Sequence, residues 1–189
     1  DDSSTTEIDD ALSVQGLGSG TVVLGIHIAA PGLAIAADSP LARVAQERQS
    51  TVYLPAWKIT MLPDEVVAAY TLAEGRDCPA LSLYVSIDEA TLEPRRHETR
   101  IERVPVAANL RHDRLDALVT EAALVGEAAA AFDFAAELGF AFRLARALKA
   151  RREAVRGRPE LATRPDYAFR LDRDDGGEPD GSERVSIVP

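Results

Sequence analysis

The run Thr21-Val22-Val23-Leu24-Gly25-Ile26-His27-Ile28-Ala29-Ala30 constrains this chain more than any other stretch. It is almost continuously apolar, rich in β-branched residues, and bounded by Gly16-Leu17-Gly18-Ser19-Gly20 before it and Pro31-Gly32 after it. A short apolar run between turn signals, without a polar alternate, is the pattern of a buried strand. Ala11-Leu12-Ser13-Val14 leads into the glycine-rich turn, which reads as a hairpin connection. Those glycines do not make a phosphate-binding loop, because no Gly-Lys-Ser/Thr follows and the order of strand, loop and helix is wrong.

The elements behind this strand are short and mixed. Ser39 as N-cap and Pro40 at the first helical position predict a helix through Arg48. A strand follows at Thr51-Val52-Tyr53-Leu54, closed by Pro55, and a short helix runs from about Met61 to Tyr70. Ala80 to Ile87 alternates apolar and small polar residues, which predicts a half-buried strand. Thr91 to Val104 alternates more weakly with many charges, as a strand near a sheet edge does. From Asp113 to Val155 the chain is alanine-rich and free of proline, which predicts two helices separated near Gly126, the second long. Phe132, Phe134, Phe140 and Phe142 fall at helical spacings and are assigned to the core rather than to a base-stacking platform. A final hairpin is predicted from Tyr167–Leu171 and Glu183–Val188, joined by the acidic, glycine-rich segment 172–182.

At 189 residues the chain suits one domain with at most a small appendage. It has no run of eighteen apolar residues, so no membrane span is expected. It opens on Asp1 with no signal-like segment, which reads as a piece of a longer polypeptide. A lone cysteine, Cys78, excludes an internal disulfide framework, fits a reducing cytoplasm, and is read as an inert buried thiol. The net charge of −10 argues against a protein that blankets nucleic acid with positive potential. Yet Arg143, Arg146, Lys149, Arg151, Arg152, Arg156 and Arg158 lie close together against the single acid Glu153, either as a solvated helix face or as a phosphate-contacting patch.

The opening of the chain carries the chemistry. Five carboxylates, Asp1, Asp2, Glu7, Asp9 and Asp10, fall within ten positions. Like charges this dense suit a hard divalent cation bound through oxygen. They also suit a helix start, with Thr6 as N-cap, Asp9 three residues on, and Ala11-Leu12 behind. Spacing alone leaves both open. His27, in the middle of an apolar strand, reads as structural rather than as a general base.

Taken in order, the motifs resemble the start of the catalytic domain (RNB domain) of the ribonuclease II and ribonuclease R family of exoribonucleases. That family opens on Asp, five residues, Asp, one residue, Asp-Asp-Ala-Leu; here Asp1, Glu7, Asp9 and Asp10 stand at those spacings before Ala11-Leu12. His27-Ile28-Ala29, Ser39-Pro40-Leu41 with Arg48, Tyr53-Leu54-Pro55, Met61-Leu62-Pro63 and Arg164-Pro165-Asp166-Tyr167 match further motifs in sequence order. The departures are Glu7 for a customary aspartate, Ala30 for the aspartate after His-Ile-Ala, and Leu161 for a stacking phenylalanine of some relatives. The later half of the family's domain, with a catalytic Glu, an Arg near the scissile phosphate and a basic channel segment, is expected to lie outside these 189 residues.

The resemblance implies a mixed α/β fold, with a mostly antiparallel sheet packed with helices, incomplete at its C-terminal side. It implies that residues 1–189 form the N-terminal portion of one catalytic domain: a strand-rich region over 1–110, a helical region over 111–158 and a hairpin over 159–189. It implies a cytoplasmic 3′-to-5′ exoribonuclease that releases nucleoside 5′-monophosphates from single-stranded RNA. Asp1, Asp9 and Asp10 would be catalytic and, with Glu7, would hold Mg²⁺ or alternatively Mn²⁺, while Tyr53 would stack on the terminal base. Partners implied are single-stranded RNA, the rest of the domain and flanking RNA-binding domains, with no membrane, and the piece alone is expected to be nearly inactive. The alternative is a non-catalytic, RNA-binding or regulatory relative whose site has drifted.

Overall fold

The computed structural model describes residues 3, 5–54, 57–128, 132–160, 167–172 and 184–188. Its elements, in chain order, are β1 (Asp10–Gln15), β2 (Thr21–Ala29), a 3₁₀ turn (Pro31–Ala34), α1 (Pro40–Arg48), β3 (Val52–Tyr53), β4 (Lys58–Ile59), α2 (Asp64–Tyr70), β5 (Asp77–Asp88), β6 (Glu93–Pro105), α3 (His112–Leu115), α4 (Glu121–Leu124), α5 (Ala135–Arg156), β7 (Ala168–Asp172) and β8 (Arg184–Val188). The fold is mixed α/β with an antiparallel sheet and helices, as expected. It divides into two compact units, Asp1–Leu33 with Val67–Glu160, and Ala34–Val66 with Leu161–Pro189.

The first unit is built on a four-stranded sheet of order β1-β2-β5-β6. All three pairings are antiparallel, with Asp10 opposite Ile28, Ile28 opposite Leu81, and Leu81 opposite Ile101. The apolar run Thr21–Ala29 is thus an inner strand and the charged β6 an outer one, which is where their sequences placed them. β1 and β2 form the predicted hairpin, and the main-chain N–H groups of Gly18 and Gly20 in its turn donate to the Glu89 carboxylate. These donors, which a phosphate loop would offer to an anion, are taken by the protein itself. At the β5–β6 turn Asp88 accepts from the Thr91 main chain and side chain and from Arg95, which holds its carboxyl down to about 2.

Opposed residues share a face, so side chains alternate across the whole sheet. On one face Val22 and Ile87 are buried against Phe140 and Leu144 of α5, with Val14, Leu24 and Val85 around them. Part of the other face is closed by a second cluster, Ile8, Leu72, Cys78, Ala80 and Val106. Cys78 is fully buried and its Sγ–H donates to the Thr71 carbonyl, the environment of an inert thiol. Among the described residues no helix is long and apolar enough to cross a membrane.

Three expectations need correction. Of the two readings left open for the opening stretch, the helix start at Thr6 is not formed: residues 5–9 carry no regular structure and Asp10 begins β1, because Ile8 bonds Thr71 Oγ1 and Leu72 N–H and the Asp9 carbonyl accepts from Ala29 N–H. The first of the two alanine-rich helices is instead a pair of single turns, α3 and α4. Thr120 caps α4, accepting from Ala123 N–H, and the turn ends at Val125. Helical propensity without packing does not sustain a longer helix. Of the four phenylalanines only Phe140 is fully buried; Phe134 is 40% exposed and stands before α5 in a left-handed conformation.

The second unit holds α1 and the β7–β8 hairpin at their predicted places, and β3, read as a strand, pairs with β4, which the sequence reading did not include. Ser39 Oγ accepts from Ala42 N–H, confirming the N-cap read from Ser39-Pro40.

Candidate functional site

Asp9 and Asp10 stand where the chain enters the sheet. Ala29 N–H donates to the Asp9 carbonyl at 2.8 Å, and Asp10 faces Ile28 in the first register pair of β1. β2 therefore holds the main chain at Asp9 and, by the same register, at Ala11 on the other side of Asp10, while both carboxylate side chains are exposed. Just upstream, Ile8 is buried and pinned from the other side: its N–H donates to Thr71 Oγ1 and its carbonyl accepts from Leu72 N–H, each at 2.8 Å. Glu7 lies beside these anchors, with Oε1 shielded from solvent. Three of the four carboxylates expected to hold metal thus fall on one short, doubly anchored stretch. The fourth, Asp1, lies outside the described residues. Hard carboxylate oxygens at a fixed main chain suit magnesium in donor chemistry. Among the described residues no three His, Cys, Asp or Glu side chains are grouped closely enough to hold a metal ion by themselves. Magnesium does not require such a cage, since it commonly takes one or two carboxylates and completes its shell with water and substrate phosphate.

Asp10 also lines a groove of about 400 Å³. One wall is β1 itself, the second is the segment 104–110 that continues from β6, and the third is Phe134, Glu137, Leu138 and Ala141 at the start of α5.

Beneath β1 runs a polar network absent from the expectations. His27 is 1% exposed; its Nε2 lies 2.9 Å from Ser13 Oγ and its Nδ1 2.8 Å from Ser82 Oγ. Tyr84 O–H donates to Glu102, and Ser82 bonds the same carboxylate. Ionised Glu102 only accepts, so Ser82 donates to it and accepts from His27 Nδ1–H, leaving Nε2 to accept from Ser13. Burial lowers the His27 pKa, with the Glu102 charge acting against it, so the ring is neutral in agreement with that chain of bonds. The Ser82 and Tyr84 hydroxyls hold Glu102 below its ordinary value. Gly25 makes room for the crossing: a Cβ there would stand 2.3 Å from Ser13 Oγ and 2.7 Å from His27 Nε2. Every ring nitrogen is engaged, which is the structural role read for His27. The signal for its partners was the small-polar alternation of β5, at Ser82, and Ser13 on the strand next to it.

In the second unit Tyr53, on β3 opposite Lys58, is 71% exposed. Trp57, which the sequence motifs did not single out, is 61% exposed on the same hairpin, where its carbonyl accepts from Leu54 N–H at 2.9 Å. Its signal was available: the one tryptophan of the chain lies four residues from Tyr53, close behind Pro55.

The basic cluster of α5 is largely engaged. Arg146 pairs with Glu121, Arg152 and Arg156 with Glu160, and Arg151 donates to the carbonyls of Thr91 and Leu92. That favours a solvated helix face over a phosphate-contacting patch.

Comparison with known proteins places this arrangement. The sequence matches the model of the RNB domain over residues 1–185. It is 40% identical over 89 residues to Exoribonuclease 2 of Edwardsiella piscicida, a match covering 47% of this chain and 14% of that protein. The fold superposes on RNase R of Mycoplasma genitalium, solved with ribose-methylated single-stranded RNA, with a TM-score of 0.72 and 16% identity, over 100% of this chain and 28% of that one. It also superposes on yeast Ssd1, described as a pseudonuclease, with a TM-score of 0.64 and 25% identity over 82% of this chain and 17% of that one. The chain therefore spans under a third of each of these proteins.

Proposed function

The chain belongs to the RNB domain family, and from that membership we propose that the protein is a 3′-to-5′ exoribonuclease hydrolysing single-stranded RNA to nucleoside 5′-monophosphates. The observation that carries the reading is the pair Asp9 and Asp10, exposed on a main chain fixed by β2, inside a family match that runs through residue 185. The name of Exoribonuclease 2 and the RNA bound by RNase R support the substrate.

Asp1, Asp9 and Asp10, with Glu7, would hold magnesium, or manganese in its place, which would neutralise phosphate charge and lower the pKa of the attacking water. The chain's own contribution is positional. The anchors at Ile8 and Asp9 keep the carboxylates from moving as charge builds on the phosphate, so little reorganisation is needed when the bond breaks. Tyr53 stacks on a base, worth about 1–3 kcal/mol and tolerant of sequence. Trp57, exposed on the same hairpin, extends that apolar surface. Partners within the same polypeptide are the rest of the domain and RNA-binding domains, and a cytoplasmic setting suits the reduced, buried Cys78.

Asp10→Asn tests this directly. In the protein as the cell makes it, trimming of 3′-labelled oligo-A with magnesium should fall by a factor of about 100 or more, while RNA affinity measured by anisotropy stays within about threefold. Retained trimming would sink the carboxylate assignment. The 189-residue piece alone is expected to trim slowly or not at all.

A second reading has its own support. The likeness to yeast Ssd1, together with Glu7, Ala30 and Leu161 at positions where relatives differ, suits a pseudonuclease that binds RNA without cutting it. Wild-type protein that binds oligo-A but never shortens it, at any magnesium or manganese concentration, would decide for that reading.

A further inference from the structure

Among the described residues no strand pairs with the outer edge of β1, and the register shows which groups face outward. Asp9 and Ala29 oppose each other and Ala29 N–H donates to the Asp9 carbonyl, so odd-numbered residues of this strand turn their main-chain groups toward β2. Even-numbered residues turn theirs away. The next pairing agrees: Ala30 N–H donates to the Pro79 carbonyl, so the even residues of β2 serve β5. Ile8, the first even residue, has its outward N–H and carbonyl taken by Thr71 Oγ1 and Leu72 N–H. Asp10, Leu12 and Val14 follow, and among the described residues nothing pairs with their outward groups. A row of such groups is a template for another strand.

These groups do not face bulk solvent evenly. They line the groove beside Asp10, whose far walls are the segment 104–110 and the start of α5. The lining is mainly aliphatic and aromatic, including Ile8, Val106, Leu110, Phe134 and Leu138, with Asp10 and Glu137 as its carboxylates. Unpaired main chain along an apolar trough fits one extended segment, hydrogen-bonded along its length with alternate side chains in the trough. Glu137, on the wall opposite the proposed metal-holding stretch, favours a segment with a basic residue. A second copy of this chain is disfavoured by shape, because its own β1 is recessed behind the same walls.

We propose that the open edge of β1, from Asp10 to Val14, is a strand-addition site that takes an extended, alternately aliphatic segment bearing a basic residue, supplied by RNB-family sequence outside the stretch matched here. The relatives have chain to spare for this: 72% of that RNase R lies outside the superposed stretch, the complement of the 28% covered. The choice of source rests on the family reading above; the geometry of the edge does not. It also gives the adjacent carboxylates a function-linked neighbour, since the added strand would begin beside Asp10.

The probes are short overlapping peptides tiled over Exoribonuclease 2 of Edwardsiella piscicida outside its matched residues, with oligo-A as a separate ligand. At least one alternating, basic peptide should bind this chain and slow amide exchange at Asp10, Leu12 and Val14 by about tenfold or more. Leu12→Pro removes an outward N–H that the β1–β2 ladder does not use, so the fold should survive as judged by circular dichroism and Tm. That variant should weaken peptide binding by about tenfold, and Ala141→Phe, which fills the trough from α5, should do the same without touching the edge. The proposal is overturned if no peptide protects these amides or if both variants bind as wild type. It is equally overturned if oligo-A, or rising protein concentration alone, protects the Leu12 and Val14 amides, which lie outside the proposed metal site. RNA trimming reports on the nuclease reading independently, so a failure here with trimming intact removes only the strand-addition site.

Discussion

Two ends of one sheet face make the most instructive contrast in this protein. At one end Val22 and Ile87 are 0% and 1% exposed under Phe140 and Leu144. At the other, Leu12, Ile28, Leu81 and Ile101 point from the same face and are 62%, 44%, 45% and 67% exposed. The residues are chemically alike and occupy the same parity of the same four strands. The difference is the cover: Phe140 and Leu144 of α5 pack on Val22 and Ile87, whereas among the described residues neither buried cluster includes the other four. Alternation decides which face a side chain takes, but not whether that face is covered.

The contrast can be broken where its effect is largest. Phe140→Ala should destabilise the chain by about 3–5 kcal/mol, read as a lower Tm or denaturant midpoint, because it empties the space between α5 and the sheet. A cost near that of an exposed substitution would mean that α5 does not hold the closed end.

The opposite face supplies an intermediate test. His27 is buried and neutral, with a folded pKa below its ordinary 6.5, so between those values the unfolded chain binds a proton that the folded one does not. Stability should therefore be level above 6.5 and decline as the pH falls below it. His27→Gln, which titrates nowhere in this range, should flatten that decline in a Tm series. An unchanged pH profile would show that the buried network with Ser13 and Ser82 does not govern it.

The smallest effect is expected at the open end. Ile101→Ser should change stability by no more than about 0.5 kcal/mol, since the side chain is already 67% exposed. A loss of several times that would show that this end is covered in solution.

Much of the architecture was legible because it rests on local rules. The Ser39-Pro40 cap, the β1–β2 turn and the charged edge character of β6 each follow from residues adjacent in sequence, and each stands where it was read. The reading failed where packing outweighs propensity. Residues 113–128 read as helix on their alanines and leucines, yet they make only single turns, because a helix of that length needs a buried stripe and this stretch buries Ala123 alone. The candidate site divides the same way. Asp9 and Asp10 were proposed from spacing and family likeness, and the structure adds the anchors on the main chain beside them. Ser13, Ser82 and Glu102 were not found, because their meeting at His27 depends on strand register over separations of 14 and 55 residues.

By itself, then, the sequence determined the strands along the chain other than β4, the carboxylate stretch at the head of β1 and the family to which the chain belongs. These depend on period, turn chemistry and motif spacing, all of which are written along the chain. Only the tertiary structure decided that Asp10, Leu12 and Val14 line a groove with main chain that no described residue pairs, that His27 is neutral within a hydroxyl network, and that one end of an aliphatic face is exposed among the described residues. Each of these is set by what an element far away in sequence does or does not cover, a quantity that no local pattern encodes.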